Sequence, residues 1–581
     1  MSTEAPYGSW ESPVSAADYA AGSHPVGGGR FVHDEVWWLE LRPAEGGRYA
    51  VRRQGADGEP EDLLPAPWNA RTRVHEYGGA AWTVNVEGVI VFAEFGDQRL
   101  YRLDPTPNAE PVPLTPVPDE PCGLRYAELA ICRDGDEVWC VRETHRDGEV
   151  VRDFAAVPLD GCGADDPGSI RSIAGGSHFL ANLRLSPDGT KVAWIAWEHP
   201  QMPWDGTELR VAELDAEGHA GEPRVLMGST DESVLQPEWA DDGALYAISD
   251  RSGFWNLYRV PLDGADPQPL CAMQADFGGP MWVLGLRWYS VLEDGHLLTV
   301  RTLGTDTLGV LDPASGDLRD VELPGITSVS LGAVQGRDVL LATGGAQVPS
   351  GLRHLGIDTG ELAEIRLDAD RTLDPAYFPE ARLMTFDGPQ GRPVHAVVYP
   401  PRNPDFTAPD DERPPFVAFV HGGPTSRVAP TMSVLFAFFT SRGIGVVDVN
   451  YGGSTGYGRE YRDRLKGEWG VVDVEDTVAA VRGLADAGLA DPARLAIEGG
   501  SAGGWTVLSA LTVGAEHIRG AFACGASYFG VAELIMFAEE THDFESRYLD
   551  GLIGPLPEAR ELYETRAPVN NVDGLSCPVL L

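Results

Sequence analysis

Lysine is almost missing from this chain. Of 44 basic residues, only Lys191 and Lys466 are lysines. The rest are arginines, a pattern of coding bias that carries no functional message. Positive charge is scarce as a whole: 88 acidic residues face those 44, for a net charge of −44. Nucleic acid and anionic membrane surfaces are therefore not expected as partners, because their phosphates are repelled. Acidic runs of this kind usually form solvated faces. Cysteine is sparse too, with seven residues at 122, 132, 140, 162, 271, 524 and 577 and no CxxC or Cys/His ligand spacing. That argues against a structural zinc or a disulfide framework and for free thiols in a reducing compartment. No apolar run approaches the roughly 18 residues of a membrane helix. The first residues, MSTEAPYGSW, have neither the basic nor the apolar region of a signal peptide. The expectation is a cytoplasmic protein without metal or cofactor.

What is present is length and two kinds of pattern. A chain of 581 residues exceeds the roughly 250–300 at which single cores stop growing. After an N-terminal segment, 1–29, residues 30–374 read as all-β. Short alternating runs are separated by turns rich in Gly, Asp and Pro. Leu185-Ser186-Pro187-Asp188-Gly189-Thr190 leads into Val192–Ile195 and then Glu208–Val211. Trp239-Ala240-Asp241-Asp242-Gly243 leads into Leu245–Ile248 and then Asn256–Val260. Four-strand units recurring about every 45–60 residues indicate a β-propeller, because one small sheet cannot bury both faces alone. Six to eight blades fit the length, with seven taken as the expectation; a pair of β-sandwiches is the alternative. The segment Arg73–Gly79 stands out for its clustered polar and aromatic groups and reads as an ordered loop or strand edge.

Residues 375–581 change character. Phe416–Val420 and Gly443–Val449 are continuous apolar runs, as in buried parallel strands. Asp473–Ala485 reads as a helix with acids in its first turn and Gly488 past its end. Strands alternating with helices imply a doubly wound α/β domain.

In that domain Gly499-Gly500-Ser501-Ala502-Gly503 follows a strand, Arg494–Ile497, and precedes an apolar helical stretch, Trp505–Val513. Gly-x-Ser-x-Gly alone is weak, arising by chance on the order of 0.4 times in so glycine-rich a chain. A second match, Gly452-Gly453-Ser454-Thr455-Gly456, precedes what reads as a solvated stretch, Arg459–Arg464, so Ser454 is expected to be structural. Ser501 is the candidate nucleophile, with small neighbours allowing a tight strand–helix turn. His421-Gly422-Gly423-Pro424 follows an earlier strand. In an α/β-hydrolase such a loop offers one N–H to a developing oxyanion, and the residue after the nucleophile offers another. These are Gly423 and Ala502; His421 is expected to order its loop. In this fold an acid and then a histidine come later in the chain. After Ser501 only His517 and His542 remain. Neither follows a strand-terminal acid. Cys577–Leu581 reads as the strand that ought to carry the acid.

His421-Gly422-Gly423-Pro424, Asn450-Tyr451-Gly452-Gly453-Ser454-Thr455-Gly456-Tyr457-Gly458 and Gly499–Gly504, in that order behind a β-rich domain, resemble the prolyl oligopeptidase family. The His-Gly-Gly-Pro form is similar to its acylaminoacyl-peptidase and dipeptidyl-peptidase-like branch. The resemblance implies a serine peptidase for short peptides, capped by its propeller. It also implies a hydrophobic specificity pocket, with Ala526, Tyr528 and Phe529 at the matching positions. The family's Asp and His motifs have no counterpart through Leu581. The α/β-hydrolase domain is thus expected to be incomplete at its C-terminus, and the chain as given inactive. No paired glutamates that hold a free peptide N-terminus can be placed in the propeller, so exopeptidase, acylpeptidase and oligopeptidase readings stay open. Rival readings are a carboxylesterase on the same scaffold and a non-catalytic propeller scaffold. Homo-oligomerisation is left open.

Overall fold

The computed structural model describes residues 2–55, 58–132, 135–369, 373–513, 515, 518–575 and 577–581. Seven four-stranded antiparallel sheets follow one another over 26–62, 82–113, 124–175, 179–229, 234–269, 289–321 and 328–367. Each is a meander of neighbours in sequence. The turns between strands use local polar chemistry. In the Ser186–Thr190 turn, Asp188 accepts hydrogen bonds from Ser186 Oγ and from the N–H and hydroxyl of Thr190, while Gly189 takes φ 74°. The ring closes by side chains: Val26 and Trp38 of the first sheet pack on Leu340 and Leu352 of the seventh. The first blade strand is Val26–Val32, so a boundary at residue 30 falls inside it.

The second domain is built on a seven-stranded sheet. Its order is Arg382–Asp387, Pro393–Tyr399, Gly445–Asn450, Phe416–Val420, Leu495–Gly500, Cys524–Tyr528 and Val579–Leu580. The first two strands run antiparallel to their neighbours and the other five are parallel. Val472–Asp486 and Ala502–Thr512 form its longest helices. The N-terminal residues belong here as well. Thr3–Glu4 pairs in parallel with Phe406–Thr407, and Val14 packs with Phe378 and Ala437. The chain therefore starts on the hydrolase domain, builds the propeller and returns.

One charged run expected at the solvent, Arg459–Arg464, instead meets the propeller. Arg459–Asp463 is a short helix whose Tyr461 and Arg462 are buried. Arg462 donates to Asp250 of the propeller at 2.5 Å and lies over the Trp255 ring at 4.0 Å; Arg459 reaches the same carboxylate at 2.7 Å. Another charged run, Glu539–Asp543, ends in the interface. Asp543 pairs with Arg152 at 2.8 Å and with His199 at 3.3 Å. Phe544 stacks on His75, and Tyr77 Oη donates to Glu545 at 2.5 Å. Arg73–Gly79 is thus a loop that meets the hydrolase domain, with His75 and Glu76 in left-handed conformations. Only tertiary packing supplies these partners, which is why local charge density misreads Arg459–Arg464.

Candidate active site

The strand Leu495–Gly500 runs three residues past its expected end and delivers Ser501 to the start of the helix Ala502–Thr512. Ser501 has φ 54° and ψ −120°, a conformation disfavoured for any residue with a Cβ. Its N–H is held by Tyr528 O at 2.9 Å, and its carbonyl accepts from Trp505 N at 3.0 Å. The hydroxyl is exposed and has no hydrogen-bond partner among the described residues. Glycines make this turn possible. A Cβ on Gly503 would stand 2.0 Å from Val420 O, and one on Gly499 would stand 2.6 Å from the Gly503 carbonyl. The helix can approach the sheet this closely only without those atoms.

The loop after Phe416–Val420 lies against the elbow: a Cβ on Gly422 would be 3.6 Å from that of Ser501. Gly423 has φ 120°, which suits glycine alone. Among the described residues the N–H groups of Gly423 and Ala502 have no acceptor. The Ala502 N–H is one of the unpaired donors that open every helix. Two free donors and a free hydroxyl thus border one open site.

His421 is turned away from that site. Its Nε2 bonds Ser454 Oγ at 2.8 Å, its Nδ1 meets Gly422 O at 2.9 Å, and it stacks on Tyr451 at 4.4 Å. Burial lowers its pKa to about 4, so the ring is neutral at pH 7. Ser454 is fully buried beneath it. The segment Asn450–Gly458 is therefore a brace for the loop. Tyr451 Oη lies 3.0 Å from His421 O, Asn450 Oδ1 accepts from Val428 N, and Gly452 N donates to Asp476 at 2.8 Å. Sequence reasoning quoted Asn450 and Tyr451 within a motif but gave neither this bracing role; their place beside the second Gly-x-Ser-x-Gly was the available signal. Asp473 anchors the elbow helix, accepting from Thr506 Oγ1 at 2.5 Å and Gly470 N at 2.6 Å. Burial pushes its carboxyl up to about 6 against those two bonds.

The remaining candidates are less enclosed. Ala526 is half-buried in the strand Cys524–Tyr528, while Tyr528 is 46% and Phe529 97% exposed. They stand beside the elbow and form no enclosed wall. His542 lies 3.6 Å from Glu545 and packs on Tyr77, with no bond to Ser501. His517 lies outside the described residues.

Residues 430–581 match the prolyl oligopeptidase family, and 123–278 match the lipoprotein LpqB β-propeller domain. A solved puromycin-hydrolyzing peptidase from Mycobacterium tuberculosis is 47% identical, with a TM-score of 0.94 over 99% of this chain and 88% of that one. The chain belongs to the prolyl oligopeptidase family. Curated relatives of this family match over shorter stretches. Dipeptidyl peptidase family member 6 of Caenorhabditis elegans is 31% identical over 28% of this chain and 23% of its own length. Dipeptidyl aminopeptidase BIII of Pseudoxanthomonas mexicana is 26% identical over 48% of this chain and 41% of its own. The chain thus spans less than half the length of these curated relatives. No helix among the described residues is long and apolar enough to cross a membrane.

Proposed function

We propose that the protein is a serine peptidase acting on short peptides through an acyl-enzyme on Ser501. The observation that carries this reading is the exposed Ser501 hydroxyl on a left-handed elbow, bordered by the free N–H groups of Gly423 and Ala502. Serine attack on a carbonyl forms a tetrahedral oxyanion, and preorganised N–H donors stabilise the charge as it develops. The propeller, clamped to the hydrolase domain through Asp250, Asp543 and Tyr77, restricts entry and favours short peptides over folded proteins. Tyr528 and Phe529 offer an apolar surface for a substrate side chain. The puromycin-hydrolyzing relative supports aminoacyl compounds as a substrate class. Seven free thiols support a cytoplasmic setting.

Serine attack also needs a base. His421 is committed to Ser454, and His542 lies 3.6 Å from Glu545, so neither of these two is placed to serve. A polypeptide of these 581 residues alone is therefore expected to turn over slowly, since losing a triad's base costs roughly 10⁶-fold in rate. In any polypeptide that contains these residues and supplies an acid and a base, Ser501→Ala is expected to abolish hydrolysis of aminoacyl and acyl-peptide p-nitroanilides. Unchanged turnover refutes the assignment. Faster cleavage of p-nitrophenyl esters than of the anilides, with no peptide cleavage, favours a carboxylesterase instead.

A further inference from the structure

The propeller ring encloses a cavity of about 760 Å³. That volume is within the size range of small-ligand sites. Its walls come from the blades, and Ser426, Arg427, Thr455 and Gly456 of the hydrolase domain close one side. Ser426 and Arg427 continue the same loop whose Gly422 lies against Ser501. Ser501, Gly423 and Ala502 are not among its lining residues; the loop is what links the cavity to the candidate site.

Three arginines line it: Arg30, Arg287 and Arg427. In a chain of net charge −44, most arginines have a carboxylate. Arg184 has Glu238 at 3.0 Å and Arg427 has Asp306 at 2.6 Å. Arg287 has no hydrogen bond or ion pair among the described residues. Among the described residues Arg30 donates only to the carbonyls of Gly28 and Gly29, at 3.4 and 3.1 Å, and lies over the Trp82 ring at 5.8 Å. The nearby acid Glu128 accepts from Asn182 N and Nδ2 at 2.7 and 2.6 Å, and its charge reaches Arg287 without a direct bond. Burial, and then the charge of Arg287, lower the pKa of Arg30 to about 10. Arg287 is exposed, and Glu238 and Glu128 act on it only at a distance, so an anion would supply the direct charge-assisted bonds that both guanidinium groups lack. The planar guanidinium fork suits a carboxylate.

We propose that Arg30 and Arg287 form an anion subsite in the central cavity that receives the free C-terminal carboxylate of a short peptide. This rests on the peptidase reading above, which supplies the peptide. It adds a selection rule: peptides ending in a free acid are held better than their amides. The acidic exterior repels anions, so the attraction is confined to the cavity.

Binding tests this without turnover. Calorimetry on the 581-residue protein compares triglycine with triglycinamide, which differ only at the carboxyl end. Triglycine is expected to bind about tenfold more tightly, as a charge-assisted bidentate pair allows. Arg287→Gln is expected to bring the two within about twofold, and Arg287→Lys to keep part of the difference. Inorganic phosphate is expected to compete with triglycine. Equal binding of acid and amide overturns the proposal. So does a preference that survives in the Arg30→Gln, Arg287→Gln double variant, or phosphate binding without triglycine binding. Melting curves verify that the variants fold. The two readings fail separately: a binding contrast without hydrolysis spares the subsite, and hydrolysis without a contrast removes it.

Discussion

Replacing Ser501 by glycine is expected to stabilise the protein, although it destroys the proposed nucleophile. Ser501 sits at φ 54° and ψ −120°. Holding a Cβ in such a region costs on the order of 1–3 kcal/mol. Glycine removes that strain but costs about 0.5–1 kcal/mol in chain entropy. The hydroxyl is exposed and bonds nothing among the described residues, so no compensating interaction is lost. The net gain is about 0.5–2 kcal/mol. For a domain of this size, about 1 kcal/mol moves Tm by about 2–4 °C. Ser501→Ala keeps the Cβ and the strain, and is expected to stay within about 0.5 kcal/mol of the parent. Scanning calorimetry of the three proteins checks this, with the hydrolase transition resolved from the propeller if the two separate. A Ser501→Gly variant no more stable than Ser501→Ala refutes the claim that the elbow stores backbone strain.

Gly503→Ala is expected to lose at least about 3 kcal/mol, because its Cβ would stand 2.0 Å from Val420 O. Gly551→Ala, with nothing within 4 Å, is the matched control and is expected to be near neutral in urea melts. Burial, followed by the Arg152 charge, lowers the pKa of His75 to about 3. Between its ordinary value of 6.5 and that value the unfolded chain binds the proton first. Its contribution is therefore present above pH 6.5 and lost as pH falls. The loss reaches about 3 kcal/mol by pH 4, at 1.36 kcal/mol per unit. His75→Asn, which tolerates the left-handed backbone, is expected to flatten the urea midpoint against pH in that window. An unchanged slope counts against the buried neutral imidazole.

The features legible in the sequence are those set by neighbours along the chain. The elbow glycines, the His-Gly-Gly loop and the Asp-Gly turns of the blades each act within a few residues. Short-range chemistry and repeat spacing were therefore enough to anticipate seven blades and a doubly wound sheet. What misled was burial decided at long range. Arg462 looks solvated until Asp250, 212 residues away in sequence, is brought to it. Asp543 finds Arg152 and His199 in the same way. The attachment of residues 3–14 to the hydrolase domain has no local signature, since Thr3–Glu4 pairs with a strand some 400 residues later. The bracing role of Tyr451 is likewise invisible until the loop of His421 is laid over it.

The central claim is that Ser501, and not Ser454, is the reactive serine, and that no described histidine activates it. Fluorophosphonate labelling of the 581-residue protein, with the adduct mapped by mass spectrometry, tests both halves. The account predicts an adduct on Ser501 alone, formed at least about 10³-fold more slowly than in intact serine hydrolases. Rapid labelling, or an adduct on the buried Ser454, contradicts it.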